Sequence, residues 1–164
     1  AAGLIGPNHR RDTNAIISPR NVGLAPARAS WPKWTRVMEM SQVDETQIRS
    51  MLEAWAQAVR DIDMDGILAN HTEDIVMFDV PVPLQSRGMD AYRKTWDLFF
   101  QYSKGGPDSF NLIEIEISAG DDVAFAHGIL GIEQTRLRLT VGLRKQNEQW
   151  RIAHEHHPYP QEIG

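Results

Sequence analysis

The chain has 164 residues, no cysteine and a net charge of -5. This length suits one domain with its own core, and the lack of thiols excludes disulfides, thiolate metal sites and cysteine nucleophiles. An acidic body does not suit a nucleic-acid partner, and no apolar run reaches the roughly 18 residues of a membrane span. We therefore expect a cytoplasmic protein that binds neither nucleic acid nor membrane.

The N-terminal segment differs in composition from the rest of the chain. Residues 1–37 hold six Lys or Arg and one Asp, and Gly and Pro interrupt every apolar period. We expect residues 1–40 to be a disordered or non-domain extension and residues 41–164 to form a single domain. Docking of Trp31 or Trp34 onto that domain stays open as an alternative.

Three helices are predicted before the main run of strands. Asp44, with Gln47 three residues on, is placed to start and cap a helix, and apolar residues repeat every three or four positions over residues 44–61. Asp63 is placed to cap a short second helix. A strand is predicted over residues 75–79, where Pro81 follows and breaks it. Gly88 precedes the third helix. The apolar face of that helix consists of Met89, Tyr92, Trp96, Phe99 and Phe100.

Four strands are predicted in a row, over residues 110–118, 123–132, 135–145 and 150–157. Helices followed by an antiparallel meander are typical of an α+β fold with helices packed on one side of a curved sheet. Alternation along each strand predicts which side chains share a face. These sets are Ile113, Ile115 and Ile117; Val123, Phe125, His127 and Ile129; and Leu137, Leu139, Val141 and Leu143.

The last strand carries three histidines in four residues. Alternation places His154 and His156 on the same face as Trp150 and Ile152, which are the residues that seek a core. Two imidazoles at the end of an apolar stripe indicate a cavity that contains titratable groups.

The opposite strand faces carry small residues among charges of both signs. Solvated strand faces usually carry larger polar residues, so this pattern favours a second flat surface lying against the sheet. We expect a homodimer through this outer face, which Ala126→Arg would break. A merely irregular solvated face is the alternative. The residues are Ala124, Ala126, Gly128, Gly142 and Ala153, among Glu114, Glu116, Arg136 and Arg138.

The order of these elements over about residues 44–160 resembles the nuclear transport factor two-like superfamily. Two segments, residues 120–125 and 150–157, most resemble its SnoaL-like and ketosteroid isomerase homologue members. The resemblance implies a cone-shaped curved antiparallel sheet with three N-terminal helices packed on its concave side, the cystatin-like fold. It implies no single function, because this superfamily contains both enzymes and non-enzymes.

The resemblance to ketosteroid isomerases also implies residue roles. Asp79 takes the place of their general base, just before Pro81 and nine residues before Gly88. The two oxyanion-binding positions hold Trp55 and Val141, and Val141 cannot donate a hydrogen bond. An oxyanion donor is worth about 2.7–4 kcal/mol, so efficient ketosteroid isomerisation is disfavoured.

Two functions of different classes therefore stay open. The first is a cofactor-independent lyase, isomerase or cyclase for a small apolar ring compound, with Asp79 as base and His154 or His127 as acid. The resemblance implies that His127 points into the cone. The second is a non-catalytic ligand-binding or dimeric assembly module. We expect no cofactor. We also expect no metal, because Glu155 and His157 alternate away from His154 and His156. The residues expected to line the ligand are Trp55, Trp96, Tyr92, Val141 and His156.

Overall fold

The computed structural model describes residues 33–161 of the chain. Most of the extension predicted for residues 1–40 lies outside that part. The alternative, docking of Trp31 or Trp34 onto the domain, also concerns side chains outside the described part. The described part begins with a helix, and this helix includes the last residues of the predicted extension.

The order of the elements agrees with the prediction of a helical half followed by a meander of strands. A two-residue strand before the third helix is the one addition within the described residues. The elements are α1 (Lys33–Arg60), α2 (Met64–Leu68), β1 (His71–Phe78), β2 (Ser86–Arg87), α3 (Met89–Tyr102), β3 (Asn111–Ala119), β4 (Val123–Ile132), β5 (Thr135–Gln146) and β6 (Gln149–His156).

The first helix begins at Lys33 rather than at Asp44, so its predicted start is wrong. No Gly or Pro lies within Lys33–Arg60, and nothing in the sequence therefore interrupts the helix at Asp44. The Asp44 carboxylate accepts hydrogen bonds from Lys145 Nζ and Trp150 Nε1, each at 2.9 Å. Asp44 therefore ties α1 to the β5–β6 hairpin instead of capping a helix.

The other two helices begin where the sequence predicts. Asp63 caps α2, and its side chain accepts a hydrogen bond from the backbone N–H of Gly66 at 3.1 Å. Gly88 precedes α3 with a φ of 78°, a conformation that glycine adopts without strain. The apolar face of α3 then buries Tyr92 and Trp96.

The six strands form one sheet in the order β2–β1–β6–β5–β4–β3. Neighbouring strands are antiparallel except β1 and β6, which run parallel. The helices cover the concave side, where α1 packs on β3 and α3 packs on β1 and β2. Within residues 33–161, no helix is long and apolar enough to cross a membrane. Large core side chains that are at most 2% exposed include Ile48, Leu52, Trp55, Tyr92, Trp96, Phe110, Leu130, Leu139, Val141 and Ile152.

A bulge in β3 changes the predicted face of one isoleucine. The pairing with β4 moves from Leu112 directly to Glu114, so Ile113 is an extra residue without a partner. Ile113 is 50% exposed, whereas Ile115 and Ile117 pack against the core. The predicted common face of the three isoleucines is therefore wrong at Ile113.

The face of β4 that packs against the helices is not the predicted one but the opposite one. Ala124 and Ala126 are buried, whereas Phe125 is 51% exposed and His127 is exposed as well. The register explains this orientation, because Ala126 lies opposite Val141 of β5, which faces the core. The predicted inward position of His127 is therefore wrong.

The outer face of the sheet consequently differs from the predicted small-residue surface. Ala126 is 0% exposed, so Ala126→Arg would place a charge in the core rather than at a dimer interface. Gly128 is needed because β3 passes close by, and a Cβ there would lie 1.8 Å from the carbonyl oxygen of Glu114. The charged residues predicted for the outer face are exposed, and Val123, Phe125 and His127 are exposed with them.

Candidate functional site

A fully buried carboxylate lies between the sheet and α3. Glu155 Oε1 accepts a hydrogen bond from the Tyr92 hydroxyl at 2.6 Å and lies 2.6 Å from His71 Nε2. The Tyr92 hydroxyl is also 2.9 Å from His71 Nε2. Glu155 is 0% exposed, and the other two side chains are buried with it. Strand β1, helix α3 and strand β6 each contribute one member of this cluster.

A bulge in β6 turns Glu155 inward. The pairing with β5 moves from Ile152 opposite Leu143 to His154 opposite Gly142, so Ala153 is an extra residue. One extra residue reverses the alternation of faces beyond it. Ile152 therefore faces the core as predicted. The inward positions predicted for His154 and His156, and the outward position predicted for Glu155, are wrong.

His157 lies between Glu155 and Asp79. Its Nε2 is 3.3 Å from Glu155 Oε2, at an angle outside hydrogen-bonding geometry, and its Nδ1 is 3.9 Å from Asp79 Oδ1. The backbone N–H of His157 donates to the carbonyl oxygen of Phe78 at 3.0 Å, so the two strand ends are held together. The parallel pairing of β1 with β6 thus brings Asp79 to His157.

The Asp79 and His157 side chains line a small cavity of about 40 Å³. Asp79 is partly open to solvent, with 23% of its side chain exposed, whereas His157 is buried. Asp79 also lines a second, more open cavity of about 170 Å³ on the other side. We call these the inner cavity and the vestibule. The inner cavity is also lined by Met77, Thr95, Trp96, Phe99, Phe110, Ile132 and Leu137.

Aromatic rings fill most of the remaining cone. The Trp55 ring centroid is 5.0 Å from that of Phe110 and 6.1 Å from that of Trp96, both in edge-to-face contacts. Of the residues predicted to contact a ligand, Trp96 lines the inner cavity. Trp55, Tyr92 and Val141 lie in the packed core behind it.

Burial and hydrogen bonding act in opposite directions on the buried carboxyl. Burial by itself raises the pKa of Glu155, but its interactions with His157 and His71 outweigh burial and lower that pKa to about 2. Burial, together with the charge of Glu155, raises the pKa of Tyr92 well above its usual range. At neutral pH the cluster therefore holds an ionised carboxylate and a neutral phenol.

The acid dependence of stability should report this carboxylate. Because the folded-state pKa of about 2 lies below the ordinary value of 4.5, ionised Glu155 stabilises the fold above pH 4.5, and this contribution disappears as the pH falls through 2. We expect Glu155→Gln to lose less stability than the wild type between about pH 6 and about pH 3. Denaturant unfolding at both pH values measures this, and an equal acid dependence in the two proteins would contradict the assignment.

His154 and His127, which are predicted to be catalytic, and His156, which is predicted to line the ligand, lie on the outer face of the sheet. His154 Nδ1 is 2.8 Å from the carbonyl oxygen of Val76, and partial burial, with His154 and His157 nearby, lowers the pKa of His156. His127 lies 3.7 Å from Glu116 and is exposed. None of these three histidines reaches the inner cavity or the vestibule.

One other cavity is a weaker candidate for the site, and no metal site competes with it among the described residues. A more open groove of about 700 Å³ lies between the start of α1 and two turns of the sheet, but it lacks a buried histidine. Within residues 33–161, no three His, Asp or Glu side chains are arranged to hold a metal ion. The inner cavity is the candidate site because its walls and the cluster behind it bring buried titratable groups together.

Comparisons with known proteins agree with this fold. The family model described as a SnoaL-like domain matches residues 48–162. A search of the curated proteins found no match. An NTF2-like (nuclear transport factor two-like) protein of unknown function from Pseudomonas putida is 37% identical, with a TM-score of 0.69, over 75% of this chain and 91% of that one.

More distant structures share the fold alone. A protein from Nostoc punctiforme with a cystatin-like fold is 13% identical, with a TM-score of 0.63, over 74% of this chain and 94% of that one. An NTF2-like protein from Streptomyces avermitilis, provisionally named a dehydratase, is also 13% identical, with a TM-score of 0.64, over 74% and 99%. Given the family match over most of its length, the chain belongs to the SnoaL-like family of the nuclear transport factor two-like superfamily.

Proposed function

We propose that the chain binds a small, largely apolar ring compound at the inner cavity and vestibule. Asp79 and His157 then move protons on this compound without a cofactor, in a lyase, isomerase or cyclase reaction. The observation that carries this proposal is Glu155, a fully buried carboxylate in contact with two histidines behind the cavity wall.

The energetic argument is that such a cluster adds little to stability. Desolvation of a buried ion pair offsets much of its attraction, and apolar residues of similar volume often serve a core as well or better. Perturbed titratable groups beside a cavity are therefore candidates for function. Glu155, with its strongly lowered pKa, lies directly behind His157 in the wall of the inner cavity.

The proposed roles differ from those predicted from the sequence in one residue, the general acid. Asp79 stays the base, and His157 replaces His154 and His127 as the acid because it alone of the three lines the cavity. Glu155 is a positioning residue that holds the His157 ring towards Asp79. Both reacting groups then face the same bound molecule.

The shared step would be enolisation of a carbonyl compound. The Asp79 carboxylate takes the proton from the α-carbon, and the C–H electron pair becomes the new C=C bond. The protonated form of His157 gives its proton to the carbonyl oxygen, which receives the former C=O π pair. Reversal of these transfers in D₂O leaves deuterium on the α-carbon.

Exchange of α-protons tests the catalytic part of the proposal. Acetophenone provides a ring, a carbonyl and exchangeable methyl protons, and their loss in D₂O can be followed by NMR. We expect catalytic amounts of protein to accelerate the exchange above the buffer rate. Binding of the ketone without acceleration would leave a binding module and contradict the proposed chemistry.

The exposed outer face favours a second function, assembly into a homodimer. Val123 and Phe125 of β4 are 59% and 51% exposed, and Ile113 of β3 is 50% exposed. Phe125 also stacks on His127, with ring centroids 6.0 Å apart. Exposed apolar and aromatic side chains on one face of a sheet are typical of a contact between proteins.

We expect Phe125→Glu to convert a dimer into a monomer, because the new carboxylate would be desolvated at the interface. Sedimentation of wild type and variant at micromolar concentration measures this. Tyr102→Glu is the matched control, since Tyr102 is an 81% exposed aromatic residue at the end of α3. A monomeric wild type would contradict the dimer.

A further inference from the structure

The inner cavity and the vestibule share two wall residues, Asp79 and Thr95. Their sizes differ, at about 40 Å³ and about 170 Å³. A cavity needs roughly 10–15 Å³ to hold one water, and one of about 150 Å³ can hold benzene. The inner cavity therefore fits about three heavy atoms by this scale. The vestibule fits a ring.

The walls of the inner cavity are mostly aromatic and aliphatic. The polar groups of the wall residues belong to Asp79, Thr95, His157 and the buried indole N–H of Trp96. Thr95 donates to the carbonyl oxygen of Ala91 at 3.2 Å and also bonds to Ser86, so it is satisfied without a ligand. An alkyl substituent beyond Asp79 and His157 would therefore contact mainly aromatic and aliphatic side chains.

The vestibule has a different wall, formed largely by the bend after β1. Pro81, Val82 and Pro83 lie on one side, and Ala91 and Leu98 of α3 lie on the other. Val82 is 88% exposed, so a bound apolar ring would cover surface that is now in water. This environment suits a flat apolar group that is too large for the inner cavity.

We infer that the site takes ketones whose carbonyl carries an aryl or cycloalkyl ring on one side and a short alkyl substituent on the other. The substituent of one or two carbons enters the inner cavity, the carbonyl lies against Asp79 and His157, and the ring stays in the vestibule. This inference rests on the proposed function for the position of the carbonyl. It adds that the length of the substituent decides which compounds bind.

A series of phenyl ketones tests this size limit. Acetophenone, propiophenone and valerophenone share one ring and differ in alkyl length, and quenching of tryptophan fluorescence gives their affinities. Against an open apolar surface, each added methylene would strengthen binding about fourfold. We expect the opposite order, with valerophenone binding at least tenfold more weakly than acetophenone.

A cavity-enlarging variant makes the test specific. Leu137→Ala removes side-chain volume from the inner cavity wall and should strengthen valerophenone binding at least tenfold, with little change for acetophenone. Leu143→Ala is the matched control, because Leu143 is a buried leucine of the same strand outside that wall. Both affinities should stay unchanged in this control.

The outcomes separate this inference from the proposed catalysis when α-proton exchange is followed in the same samples. Short-chain preference without exchange would support the size limit and contradict the catalysis. Exchange with valerophenone bound as tightly as acetophenone would overturn the size limit and leave the catalysis standing. If none of the three ketones binds, both are overturned.

Discussion

Replacement of His71 by leucine is expected to lower the free energy of unfolding by about 3–5 kcal/mol, because it leaves a buried carboxylate without one of its closest partners. His71 Nε2 lies 2.6 Å from Glu155 Oε1, and the two side chains are 1% and 0% exposed. The leucine would leave the carboxylate with the Tyr92 hydroxyl as its remaining close donor. Denaturant unfolding at neutral pH measures the change.

A double variant separates the charge from the lost packing. His71→Leu combined with Glu155→Gln removes the buried charge as well, so it should recover a substantial part of the stability that His71→Leu loses. Asp74→Asn is a surface control, since it removes the exposed ion pair with Arg144 and should change stability little. A His71→Leu protein as stable as the wild type would contradict a stabilising contact between His71 and Glu155.

The second large effect is expected on proton transfer. His157→Gln should reduce α-proton exchange by about 10²–10⁴-fold, the usual contribution of a positioned acid or base. The neighbouring His156→Gln is the matched control, because His156 lies on the outer face beyond the bulge. NMR exchange rates with acetophenone, at equal protein concentration, measure both variants.

A fold control accompanies these rates. His157 is buried, so the variant must keep the thermal unfolding midpoint and the ketone affinity close to those of the wild type before its rate is interpreted. Equal exchange rates for His157→Gln and the wild type would remove His157 from the mechanism. An equally slow His156→Gln would mean that the outer face matters instead.

Periodicity predicts the elements of this fold well because it depends on local sequence. The apolar repeat of α3 and the cap at Asp63 predict helices that the structure confirms. The turns between strands also fall where predicted, so the order of the meander follows from the sequence. Helix α1 is longer than predicted because no Gly or Pro interrupts it, and Asp44, which looks like a cap, instead binds Lys145 and Trp150.

The face of the sheet on which a side chain lies is harder to predict, because one extra residue in a strand reverses it for the residues that follow. The bulge at Ala153 depends on pairing with β5, and no local pattern in the last strand reveals it. His154 and Glu155 therefore exchanged their predicted faces. The same limit applies to β4, where alternation is correct but the choice of inner face depends on the neighbouring strand.

The central cluster could not be assembled from sequence because its members are far apart in the chain. His71 lies 84 residues before Glu155, and Tyr92 lies 63 residues before it. His71 also precedes the strand predicted for residues 75–79, so its place on β1 was missed. The remaining signal is the histidine-rich strand end, which predicts a cavity with titratable groups and misassigns which side chains enter it.

The rate of α-proton exchange in Asp79→Asn tests the central claim most directly. Asp79 lines both the inner cavity and the vestibule, and its carboxylate is the proposed base. The amide has nearly the same shape but cannot take the proton, so exchange of the acetophenone methyl protons should fall by about 10²–10⁴-fold while ketone binding persists. Exchange at the wild-type rate in Asp79→Asn would contradict an acid–base site at this cavity.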